Sequence, residues 1–78
     1  MDEQIINTIR RMFPYPGEKL SNEEIERRAE RIQHIVEENG GAGRPTLDYL
    51  EREKTNAEGS KKGVIESLLS RLRNRRRH

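Results

Sequence analysis

The sequence has no cysteine and no tryptophan. Without cysteine there are no disulfide staples and no thiolate-bound metal, and the redox compartment goes unread. Aromatic residues are few: Phe13, Tyr15 and Tyr49. No run of apolar residues exceeds two, so nothing approaches the roughly 20 consecutive apolar residues that span a bilayer. The first residues also lack the basic-then-apolar segment of a secretory leader. These absences set the expectation of a soluble cytoplasmic protein, nuclear if the source is eukaryotic or viral, given its basic tail.

Core-forming residues are scarce as well. Leu, Ile, Val and Phe supply 16 of the 78 residues, against 38% charged residues. So short a chain buries only about 60% of its unfolded surface. One small domain at most is expected, built on small helix-borne clusters, completed by a partner subunit, or partly disordered.

What is present reads as helix. Ile5, Ile6, Ile9, Met12 and Phe13 fall on one helical stripe, with Asp2 placed to cap it. Pro14, Pro16 and Gly17 then end that helix. Residues 21–38 carry the strongest pattern. Ser21 and Glu24 have capping-box spacing, Leu20 and Ile25 have staple spacing, and Ile25, Ala29, Ile32 and Val36 form a narrow apolar stripe. Glu23 with Arg27, and Glu24 with Arg28, have i,i+4 spacing. Asn39, Gly40 and Gly41 supply left-handed conformations for its end. The run GGAGR at 40–44 lacks the lysine and glycine spacing of a phosphate loop and reads as a connector. Thr46 is placed to cap a third helix running to about Lys54, with Leu47 and Leu50 on one side.

Residues 55–63, TNAEGSKKG, have one apolar residue and two glycines and read as a linker entering a fourth helix at 61–76. Val64, Ile65, Leu68, Leu69 and Leu72 form its stripe. No segment alternates as a strand does. The expected fold class is therefore all-α: a helical mini-domain of three helices over 1–54, a linker over 55–60, and a basic amphipathic C-terminal helix over 61–78. The C-terminal stripe has little chain nearby to cover it. It is expected to form an interface with a partner or, in a homodimer, with a second copy.

Charge is divided unevenly. Residues 1–58 sum to −4 and residues 59–78 to +6. Arg71, Arg73, Arg75, Arg76 and Arg77 encircle the helix axis, since successive residues project about 100° apart. The negative end of a helix explains one or two cations there, not five. Arginine's planar fork suits bidentate contact with phosphate. RNA or DNA is therefore the expected partner, with RNA ahead, met by these arginines together with Asn74, Lys61 and Lys62. The segment RLRNRRR resembles, in composition over seven residues, the arginine-rich motifs of lambdoid phage antiterminators and lentiviral RNA-export proteins. That resemblance implies an RNA-binding helix in a widened groove, with Asn74 as a base reader.

Catalysis is not expected. His34 and His78 are isolated and have no metal-ligand spacing. The carboxylates of the second helix sit beside arginines, and so few apolar residues cannot wall the dry pocket that a general acid or base needs. No cofactor and no metal are expected. Phe13 and Tyr15 are expected to cover the junction of the first two helices. Two rival functions remain. One is a protein-interaction or inhibitor module that binds a larger protein through its acidic and apolar helices. The other is an amphipathic helix on an anionic membrane, with Val64 to Leu72 as its buried face.

Overall fold

The structure is a computed structural model that describes residues 2–76, with side chains described as far as Asn74. Among the described residues there are four helices and no strand: α1 (Asp2–Met12), α2 (Asn22–Glu38), α3 (Arg44–Asn56) and α4 (Gly59–Arg76). The all-α expectation holds.

Local chemistry accounts for most boundaries. At α2 the capping box is complete: the Ser21 hydroxyl accepts from the Glu24 N–H at 3.1 Å, and the Glu24 carboxylate accepts from the Ser21 N–H at 2.9 Å. That satisfies two of the donors that a helix start leaves open. At its other end Gly40 and Gly41 take φ of +99° and +93°, while Asn39 stays at −102°. The left-handed turn is thus carried by glycine alone, which pays no Cβ penalty there. Thr46 does not cap α3 as expected. Gly43 holds that position, and Thr46 lies inside the helix, fully buried, donating its hydroxyl proton to Asp2 Oδ1 at 2.9 Å. Asp2 therefore places negative charge beside the start of α3, where the helix dipole favours it.

Packing follows a ring: α1 lies on α2 and α3, and α4 lies on α2 and α3. Contacts from Leu20 with Ser60 through Gln33 with Arg71 show α2 and α4 running in the same direction. Their N-terminal halves approach closely at Gly63, where a Cβ would stand 3.1 Å from Ile25 Cδ1. A single cluster joins Ile5 and Ile9 of α1, Ala29, Ile32 and Val36 of α2, Tyr49 and Leu50 of α3, and the whole α4 stripe. Ile25, expected in the core, packs at its edge and is only partly buried.

Two sequence expectations are corrected here. The linker expected over 55–60 contracts to Ala57 and Glu58, because α3 continues to Asn56 and α4 begins at Gly59. Ala57 is itself buried. The stripe expected to be an oligomer or partner interface is also covered inside the chain: Val64, Ile65, Leu68, Leu69 and Leu72 are all buried, none more than 4% exposed. The short connector returns α4 against α2 and α3, so α4 supplies the centre of the core. The radius of gyration, 11.5 Å, matches the roughly 11.5 Å that a compact chain of this length should have.

Candidate nucleic-acid interface

The C-terminal half of α4 leaves the core at Leu72, its last buried position among the described residues. Of the eight residues expected to meet nucleic acid, five have described side chains and differ in their engagement. Arg71 is held from three sides. It donates to Glu26 Oε1 at 3.0 Å, to Gln33 Oε1 at 3.3 Å and to the Ser67 hydroxyl at 3.3 Å. Ser67 also donates to Glu26 Oε1 at 2.8 Å. The Ser67 hydroxyl, followed by the Arg71 guanidinium, holds the Glu26 carboxyl below its ordinary pKa. With its side chain 29% exposed, Arg71 is a clasp between α2 and α4.

Arg73 is held by one group, the Glu51 carboxylate of α3, and its side chain remains 56% exposed. Glu51 also pairs with Lys54 at 3.5 Å. Lys61 lies about 18 Å from Arg73 along α4 by helical rise, about 1.5 Å per residue. It pairs with Glu53 at 2.9 Å and sits over the Phe13 ring at 5.3 Å. Arg71 and Lys61 thus each have partners within the fold. Lys62 and Asn74 are exposed. The Arg75 and Arg76 side chains, and all of Arg77, lie outside the described residues.

Around Arg73 the surface dips. A shallow depression of about 400 Å³ between α3 and α4 is lined by Lys54, Glu66, Leu69, Ser70, Arg73 and Asn74. Two cations and two neutral hydrogen-bonding groups converge there beside a single lining carboxylate. Glu66, Ser70, Arg73 and Asn74 share a helical face legible in the sequence, being spaced i, i+4, i+7 and i+8. Lys54 was missed because only the docking of α3 on α4 brings it there.

Elsewhere the chemistry is sparse. Among the described residues no three of His, Asp or Glu gather as a metal site, and His34 is exposed. No helix among them is long and apolar enough to cross a membrane. Phe13 does not cover the α1–α2 junction with Tyr15. It stacks on Tyr49, with centroids 6.4 Å apart, and Arg10 covers the Tyr49 ring at 5.6 Å. Tyr15 is 68% exposed, the one large apolar side chain so placed among the described residues. It rims an open groove of about 850 Å³ whose lining includes Pro14, Leu20, Ile25 and Ala57.

No protein-family model, no curated protein and no solved structure matches the chain.

Proposed function

We propose that this chain is a small, non-enzymatic nucleic-acid-binding accessory or regulatory protein, with RNA ahead of DNA as its ligand, and that its contact surface is the cationic end of α4. The observation that carries the reading is where the core stops. The helix backbone continues to Arg76, Leu72 is the last buried position among the described residues, and Arg73 and Asn74 after it are exposed. The +6 charge of residues 59–78, against −4 before them, gives that end a use for which a phosphate backbone is the fitting partner. Arg71 fixes the helix to α2 and Arg73 begins the contact surface. The reading needs no second copy of the chain, because the stripe that called for one is covered internally.

Titration of a labelled RNA hairpin and a DNA duplex across a salt series tests this. If Arg73, Arg75, Arg76 and Arg77 each neutralise a phosphate, log affinity falls against log salt with slope about −3.6 on duplex DNA and about −2.8 on single strands. A chain ending at Asn74 keeps its circular dichroism and loses this binding at moderate salt. Full-strength binding by that truncated chain, or none by the intact one, rejects the proposal.

The groove beside Tyr15 favours a second reading, docking of a protein partner at the α1–α2 loop. Tyr15→Ala separates the two, since it leaves nucleic-acid affinity unchanged if α4 carries the contact.

A further inference from the structure

We infer that the interface continues from α4 onto α3 through Lys54, and that Glu51 is an internal competitor that occupies both Lys54 and Arg73 until a polyanion displaces it. The inference rests on the nucleic-acid reading and specifies how that same surface is regulated. Lys54 and Arg73 line one depression together with Glu66, Leu69, Ser70 and Asn74. Their described ionic partner is one and the same carboxylate, Glu51.

Exposure decides which arginine can change partner. Arg71 has three acceptors on two helices and a side chain only 29% exposed. Leaving them would break three hydrogen bonds at the α2–α4 seam at once. Arg73 has one partner and a side chain 56% exposed. An exposed pair of that kind is weak, because water and salt screen it. A lone carboxylate or a single phosphate gains little by replacing Glu51. A nucleic-acid backbone brings phosphates in series and gains from counterion release at each contact. Glu51 therefore selects dense polyanions over isolated anions.

The experiment uses the full chain and three single variants, Glu51→Gln, Glu51→Ala and Glu26→Gln, with a DNA duplex and an RNA hairpin across a salt series. Thermal melts confirm that each variant is folded, and alanine at 51 suits a helix. Both Glu51 variants are expected to bind up to about fivefold more tightly at low salt, the scale of one exposed ion pair. Their salt slope stays that of the unmodified chain, about 0.9 for each cation on a duplex phosphate, because there too the polyanion has displaced Glu51. Adding Lys54→Ala to Glu51→Gln removes one such increment. Glu26→Gln leaves the slope unchanged, because Gln33 and Ser67 still hold Arg71.

If the unmodified chain binds and the folded Glu51 variants match it in affinity, the competitor role is overturned while the nucleic-acid reading stands. If the unmodified chain fails to bind while the Glu51 variants bind, displacement of Glu51 by a polyanion is overturned. If none binds, the nucleic-acid reading falls and this inference falls with it.

Discussion

Replacing Leu68 by alanine tests whether α4 belongs to the core or to an interface. Leu68 is fully buried, at the middle of the α4 stripe. Truncating a buried leucine removes its transfer free energy and leaves a cavity, together about 2–5 kcal/mol. A domain of 78 residues has roughly 4–12 kcal/mol of stability in all, at about 0.05–0.15 kcal/mol per residue. The substitution therefore takes a large share, and at the upper end the whole of it. The melting temperature falls by at least roughly 8 °C, since 1 kcal/mol shifts it by about 4–8 °C in a domain this size. Urea unfolding followed by far-UV circular dichroism measures the loss, with sedimentation run in parallel. Ser70→Ala, exposed on the same helix, is the control and changes stability by less than about 0.5 kcal/mol. If the stripe instead joined two copies, stability would rise with protein concentration, and Leu68→Ala would yield a monomer of unchanged helix content. That pair of results would refute the single-core account.

Three further outcomes are expected. Ser21→Ala removes the hydroxyl that accepts from the Glu24 N–H and costs about 0.5–2 kcal/mol, read by the same urea titration. Thr46→Val keeps volume at a fully buried site but withdraws the donor to Asp2 Oδ1; a loss of about 1.5–3 kcal/mol, the range for a hydrogen bond to a charged group, is expected in thermal melts. Acid weakens the fold through two carboxyls that titrate lower when folded: Glu24, held down by the Ser21 backbone N–H and then its hydroxyl, and Glu26, held down by Ser67 and then Arg71. The stability they add is complete above the ordinary glutamate range, about 4.3, and is lost as pH falls through their depressed folded values. Glu26→Gln removes its part of that acid dependence, and an unchanged pH profile of stability for this variant would refute the Ser67–Arg71 clasp.

Helix α2 was legible from sequence because its determinants are local. Ser21 and Glu24 meet three residues apart whatever the rest of the chain does, and the spacing of Ala29, Ile32 and Val36 defines a buried face before any partner is known. The stops at Pro14, Pro16 and Gly40–Gly41 are local in the same sense. So is the division of charge, which placed the cationic end of α4 on view. What lay beyond the sequence depends on contacts across 40 residues or so, such as Leu20 with Ser60, Glu26 with Arg71 and Asp2 with Thr46. Periodicity shows that Leu68 must be covered but not by what, since an apolar stripe reads alike whether it meets α2 and α3 or a second chain. A run of arginines likewise reads as one unit, although Glu26 and Glu51 divide it into a clasp at Arg71 and a more exposed ion pair at Arg73. Tertiary structure decided that division, because a charge's role depends on which opposite charges the fold brings within reach.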